Sequence, residues 1–349
     1  GFESGQRNYI IDGDLTQWPE GTTQRSNPSN GKYFPALWKL GSAAFAETTL
    51  LWDYETSVLP TVAESNHKSE QCLKIATSSS AETVASGDNY VLEHDITGYD
   101  YADLHGREVT LAFWVRSSKT GTYSISLANS ANNRSRAIDY TISSADTWER
   151  KTITTTLDSS GTWVFDEGIG LRIRFCLFAG SSKHGTDSWQ ASNVLSTSNQ
   201  VNWADTSSAT FYISQIGLYL GSSAPSSFVG EPIATVQDQV DYYVQRFDFD
   251  TNSSEVIGFG GVNATTAMLV KQDLRREMRS APTVTFTAGS TFQASDFSAN
   301  SNPSSISAST ISESGFQIGM TVSGFTVGRA GKLTRNGTDT CNYTADARH

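Results

Sequence analysis

Apolar and polar positions alternate with a period of two along most of this chain, the pattern of half-buried strands. The stretch "ADTWERKTITTTLDSSGTW" (145–163) sets Thr152, Thr154 and Thr156 against Ile153, Thr155 and Leu157, then breaks at Ser159-Ser160-Gly161. It reads as a strand, a turn and a second strand. "NYIID" (8–12) is the first strand signal. "EVTLAFWVRSS" (108–118) and "GTYSISLAN" (121–129) follow, joined by a tight Lys119-Thr120 turn. "RAIDYTIS", "WERKTITTT", "LRIRFCLFAG" and "SATFYISQIGLYLG" continue the series. Many short strands separated by turns predict a sandwich or a barrel.

The pattern changes after a Ser/Pro/Gly-rich linker, "GSSAPSSFVG" (221–230). "EPIATVQDQVDYYVQRF" (231–247) predicts a helix, with Pro232 suited to its first position. Ile233, Val236, Val240, Tyr243 and Phe247 recur at spacings of three and four and form a narrow apolar stripe. Such a stripe packs on its own domain's sheet or makes a subunit contact near a symmetry axis. Strand character then returns in "EVIGFGGVNATTAMLV", "APTVTFT", "GFQIGMTVSGF" and "CNYTADA", with a Ser/Asn-rich loop expected over 295–314. The expected organisation is a β domain over 1–222, a linker over 223–231, and a helix plus small β domain over 232–349, the last a candidate for oligomerisation.

Composition narrows the function classes. Only 17% of the 349 residues are charged, against roughly 25% in ordinary soluble proteins. Ser, Thr, Asn and Gly fill the gap, as in exposed adhesins. The net charge of −11 argues against nucleic-acid binding. The one basic stretch, "KQDLRREMR" (271–279), reads as a solvated connection. Cys72, Cys176 and Cys341 have no zinc or disulfide spacing. No apolar run spans a bilayer, so no membrane insertion is expected, and no signal peptide is visible. Beginning at Gly1, the chain reads as a processed product or the C-terminal part of something longer.

Catalytic signatures are missing: there is no HExxH, GxSxG or phosphate-binding loop, and "GFGG" (258–261) lacks dinucleotide-site spacing. "DFDTNSSE" (248–255) imitates the start of a calcium loop but has Ser253 and Phe259 where Gly and Glu belong. The acidic pairs Asp166-Glu167 and Asp12/Asp14 read as turns. No enzymatic activity, cofactor or metal is expected. Binding candidates come from strand faces. Trp114 and Arg116 share one face of "LAFWVRSS", and Arg172 and Arg174 share one face of "LRIRFCLF". If these faces meet, they make a surface suited to acidic glycans; otherwise they are solvated sheet faces. The loop over 180–206, with His184, Trp189 and Trp203, is a second candidate, unless its tryptophans cap the sandwich end.

Taken together, these residues resemble the C-terminal region of tailed-phage and prophage virion proteins. "RNYIIDGDLTQWPEGTT" resembles the family's opening line, and "LHGREVTLAFWVRSSKTGTYSISLAN" resembles its strand pair. "ADTWERKTITTTLDSSGTW" is similar to its D-T-W…T-I-T…G-T-W line. "NQVNWADTSSATFYISQIGLYLG", "YYVQRF", "MRSAPTVTF" and "NYTADAR" resemble its later segments. The resemblance implies an all-β chain, with a jelly-roll sandwich similar to carbohydrate-binding modules. It also implies a place on the virion surface, the tail above all, beside other virion proteins. A homotrimer that binds host-surface glycan as a tail fibre or tailspike part is the leading expectation. The alternatives are a ligand-free trimeric joint, decoration or cap, and a polysaccharide depolymerase. Similar carbohydrate-binding modules also put a metal on the jelly-roll edge, here near Asp12 or Asp14.

Overall fold

The computed structural model describes residues 6–27, 30–43, 48–78, 81–249, 255–337 and 340–348. They form two compact units, Gly1–Val236 and Gln237–Arg348, a boundary inside the helix rather than in the linker. In the first unit a six-stranded sheet runs in the order β1 (Arg25–Ser26), β3 (Leu50–Glu55), β4 (Cys72–Thr77), β13 (Thr210–Leu220), β6 (Glu108–Ser117), β9 (Glu149–Thr156). A five-stranded sheet runs β2 (Trp38–Ala43), β5 (Asn89–Thr97), β10 (Ile169–Ala179), β7 (Gly121–Ala128), β8 (Ser135–Ile142). All pairings in both sheets are antiparallel. The chain crosses repeatedly from one sheet to the other, which makes the unit a jelly roll.

The period-two alternation decides what faces inward. Phe113 and Val115 of β6, Ile213 and Leu218 of β13, Ile173 and Phe175 of β10 and Ile125 of β7 all enter one core. Phe113 meets Phe175 edge-on between the sheets, with centroids 5.0 Å apart. Burying each such side chain contributes about 1.5–3 kcal/mol.

Several expectations are corrected. β6 and β7 lie in different sheets, so the Lys119-Thr120 turn is a crossover and not a hairpin. "NYIID" is irregular: Asn8 stitches itself to β13 by donating to the Ile216 carbonyl (3.2 Å) and accepting from the Leu218 amide (3.0 Å). It does so where β13 bulges, with Gln215 at φ +53°. Trp163 lies in a loop rather than a second strand, stacked on Tyr101 at 5.0 Å. Two short helices, α1 (Val62–Ser65) and α2 (Gly98–Tyr101), were not foreseen. Nor was the parallel bridge of β11 (His184–Gly185) with β12 (Ser196–Thr197).

Helix α3 covers only Ile233–Asp241. In the second unit the chain then becomes β14 (Val244–Asp248), paired with β23 (Asn342–Asp346), which also pairs with β17 (Thr283–Phe286). Phe247 is therefore a strand residue, stacked on Tyr343 at 4.7 Å, and not the end of a helical seam. Val236, Val240 and Tyr243 are buried within the chain, while Ile233 is 60% exposed. All of the stripe but Ile233 packs at least partly within the chain. A seven-stranded antiparallel sheet completes the unit: β19 (Asn300–Ser301), β18 (Phe292–Ser295), β22 (Ala330–Arg335), β15 (Val256–Ala264), β16 (Ala267–Asp273), β21 (Gly315–Thr321), β20 (Ser305–Ser312). Its core is built by Met268, Val270, Phe292, Ile318, Leu333 and Tyr343. β20 lies where a loop was expected; its "SISASTIS" alternation is too polar to stand out, and pairing with β21 makes it a strand.

Candidate functional site

The outer face of the five-stranded sheet carries charge in register. On β10, Leu171, Ile173 and Phe175 point inward, so Arg172 and Arg174 point out. Arg172 lies opposite Asp95 and Arg174 opposite Glu93 on β5, and Glu93 lies opposite Lys39 on β2. Lys39 Nζ donates to Asp95 at 2.5 Å and lies 3.0 Å from Glu93. Arg172 donates to Glu93 and lies 3.4 Å from Asp95. Cross-strand opposite charges of this kind stabilise the sheet.

The segment after β10 folds back over the β7 and β8 half of this face. Asp139 holds it by accepting from Thr197 Oγ1 at 2.8 Å and Asn199 Nδ2 at 3.0 Å, while Ser126 Oγ donates to the Val194 carbonyl at 2.6 Å. The β2, β5 and β10 half stays open beneath a cleft of about 340 Å³. Lys39, Val91, Glu93, Arg172 and Arg174 form its floor, and Lys183 and Asn193 line it from the covering segment.

Burial and charge compete here. Burial pushes the Glu93 carboxyl up, but Lys39, Arg172 and Arg174 outweigh it and hold it below its ordinary value. Burial, with the Glu93 charge, raises Asp95. Arg174 is 3% exposed. It donates to Asn132 Oδ1 (3.2 Å), Asn193 Oδ1 (2.9 Å) and Ser126 Oγ (2.8 Å), all neutral, and burial lowers its pKa to about 10.

The arginine-bearing faces of β6 and β10 do not meet. Trp114 and Arg116 lie on the outer face of the six-stranded sheet, on the opposite side of the sandwich from Arg172 and Arg174. Trp114 is buried with Trp148, Tyr212 and Cys72, and Arg116 sits over the Tyr212 ring beside Asp146. Trp203 is 0% exposed and belongs to the core. Trp189 is half-buried, meets Trp163 edge-on at 5.8 Å and donates to the Thr156 carbonyl at 3.0 Å. Only Arg172 and Arg174 of the six candidates line the cleft. Lys39 and Glu93 of the lining and Asp95, which pairs with Lys39, were missed, and their signal was the alternation in "WKLG" and "VLEHDI"; Lys183, in the covering segment, was missed and had no such signal.

The basic stretch 271–279 is structural as well. Arg275 pairs with Asp241 at 3.0 Å, Arg276 with Asp238 at 2.7 Å and Lys271 with Asp273 at 2.8 Å. Asp12 is buried and accepts from the Thr16 amide (2.6 Å), Thr16 Oγ1 (2.7 Å) and the Gln17 amide (2.9 Å), and burial pushes its carboxyl up to about 7. Asp14 meets His67 Nε2 at 2.9 Å and accepts from Ser69 at 2.6 Å. Among the described residues no three His, Cys, Asp or Glu side chains are grouped to hold a metal. Most of the calcium-loop imitation, 250–254, lies outside the described residues. All three cysteines are buried, and no described helix is long and apolar enough to cross a membrane.

No family model matches the chain, and no curated protein matches it. Among solved structures it is similar to the enzymatically active domain of tailspike protein 4 from bacteriophage CBA120, at 13% identity and a TM-score of 0.30, over 53% of this chain and 19% of that one. It is also similar to the carbohydrate-binding module TmCBM61 in complex with β-1,4-galactotriose, at 12% identity and a TM-score of 0.29, over 62% of this chain and 99% of that one. A family 11 carbohydrate-binding module from Clostridium thermocellum, in complex with a β-1,3-1,4-mixed-linked tetrasaccharide, matches at 11% identity and a TM-score of 0.29, over 58% of this chain and 98% of that one.

Proposed function

We propose that this protein is a glycan-binding component of a bacteriophage particle, exposed on the tail, that attaches the particle to the host surface. The observation that carries the reading is the cleft on the five-stranded sheet. It is concave and open, its volume of about 340 Å³ suits a small ligand, and its fixed polar groups suit the hydroxyls of a sugar. The resemblance of the sequence to phage virion proteins supplies the biological setting. Binding without catalysis is part of the proposal. A glycan array of bacterial surface polysaccharides tests it, read alongside Arg172→Gln and Trp114→Ala. Binding that survives Trp114→Ala and falls with Arg172→Gln places the ligand in this cleft. An array without signal ends the reading. Labelling this chain on intact particles by electron microscopy tests the location.

Assembly as a homotrimer belongs to the same proposal. Its support is that two large apolar side chains of β15, Val256 and Phe259, are 41% and 66% exposed. This pair replaces the helical stripe as the subunit contact. Sedimentation of the wild type and of Phe259→Ser decides: a trimer weakened by the substitution supports it, and a monomeric wild type removes it.

A further inference from the structure

We propose that the cleft selects saccharides bearing an anionic group, a uronate carboxylate or a sulfate, over neutral ones. The inference rests on the glycan-binding reading of the same cleft and names the chemistry it recognises.

Charge is the first observation. Lys39, Arg172, Arg174 and Lys183 line the cleft, against the carboxylates of Glu93 and Asp95 that pair with Lys39 and Arg172. Four cations face two anions in a chain whose net charge is −11. The site is a local cationic hole in an acidic protein. Such a field concentrates anionic ligands and discriminates against neutral ones.

The state of Arg174 is the second. Its guanidinium is almost wholly buried, makes no ion pair among the described residues and is held only by neutral oxygens. The Nε atoms of Arg172 and Arg174 are both buried and find no acceptor among the described residues. The Glu93 and Asp95 charges act on Arg174 without an ion pair, and a buried cation with no ion-pair partner gains when an anion arrives. Arginine presents the planar fork that carboxylate and sulfate oxygens match.

The third is what the lining lacks. Among the described residues it holds no aromatic side chain, and the nearby Tyr33 ring lies 5.9 Å from Lys39 Nζ, so ring stacking contributes little to the described floor. Polar partners replace it. Asn132 and Asn193 commit their Oδ1 atoms to Arg174, so each offers a ligand its NH2 group.

The full chain is titrated, with amide resonances of 39–43, 89–93 and 172–176 followed by NMR. The probes are sodium glucuronate, glucose 6-sulfate, methyl glucoside and sodium acetate; immobilised acidic and neutral polysaccharides are run in parallel. Glucuronate or glucose 6-sulfate should shift these amides at concentrations roughly tenfold below methyl glucoside, the size of one charge-assisted contact. Whichever of the two is tighter identifies the anionic group. Added salt should weaken the acidic probes alone. Lys183→Gln, at a half-exposed rim position, should fold normally and weaken only the acidic probes. Arg174→Lys should weaken them further, and its folding is checked by the same spectrum. Equal response to methyl glucoside and glucuronate overturns the inference and leaves the glycan reading standing. Acetate acting as strongly as glucuronate also overturns it, because the sugar then contributes nothing. No response to any probe or polysaccharide ends the glycan reading itself.

Discussion

His94 shows how one buried side chain ties the sandwich to pH. It is 1% exposed, packs against Trp38 at 4.7 Å and donates Nδ1–H to the Leu37 carbonyl at 3.1 Å. Burial, helped by the Lys39 charge, lowers its pKa from 6.5 to about 4. The folded state therefore binds fewer protons than the unfolded chain between these values. His94 costs no stability above pH 6.5, and stability is lost as pH falls from there toward 4. The full loss is on the order of 3 kcal/mol. His94→Gln keeps a donor without the titration, so its melting temperature should fall less than the wild type's over this window. Parallel slopes in a pH series of thermal melts would refute the assignment. At the same scale, Arg172 and Arg174 were legible as outward-facing from the alternation of β10 alone. Their partners were not, because pairing of β10 with β5 is a long-range choice.

At the scale of elements, the covering segment between β10 and β13 decides where the sheet is open. Gly180 starts it in a place where a Cβ would lie 1.9 Å from the Ala85 carbonyl oxygen. Asp139 then holds its return by gathering Ser124, Thr197 and Asn199. Asp139→Ala should cost about 1–3 kcal/mol by leaving these donors unpaired. It should also speed amide exchange across 183–200; unchanged exchange there would show that other contacts hold the segment. Helix α3 illustrates the opposite relation of pattern to structure. Its stripe suggested a seam between subunits, yet Val240 is 1% exposed within the chain. Val240→Asp should therefore destabilise folding by roughly 3–5 kcal/mol, seen in denaturant titration. A variant that keeps wild-type stability while losing mass in sedimentation would restore the seam. The helix ends early because Val244 pairs with Asp346 on β23, while Gln245 caps the last turn by donating to the Asp241 carbonyl at 3.0 Å.

In the whole molecule, the two largest hydrophobic cores among the described residues, one in each unit, have no residue in common. Units with separate cores unfold as separate cooperative transitions. Calorimetry should show two. Phe113→Ala should lower the one that belongs to the jelly roll, by about 3–5 kcal/mol, and Leu333→Ala the other, by about 2–5 kcal/mol. A single transition moved equally by both would mean that the units fold as one.

What the amino-acid order determined by itself was local. Alternation of period two identified β6, β7, β8, β9, β10 and β13 of the jelly roll and the inward faces of β6 and β10. The first turns of α3, which begins just after Pro232, were equally legible. These features depend on neighbours one to four residues away. Tertiary structure alone decided the rest. It assigned β6 and β10 to opposite sheets and so parted Trp114 and Arg116 from Arg172 and Arg174. It made a strand of the serine-rich β20, sent Trp203 into the core, and brought Lys39, Glu93 and Arg172 together from three distant segments. Strand faces follow from covalent geometry, but which strands become neighbours depends on how the whole chain buries its apolar surface, and no local pattern encodes that choice.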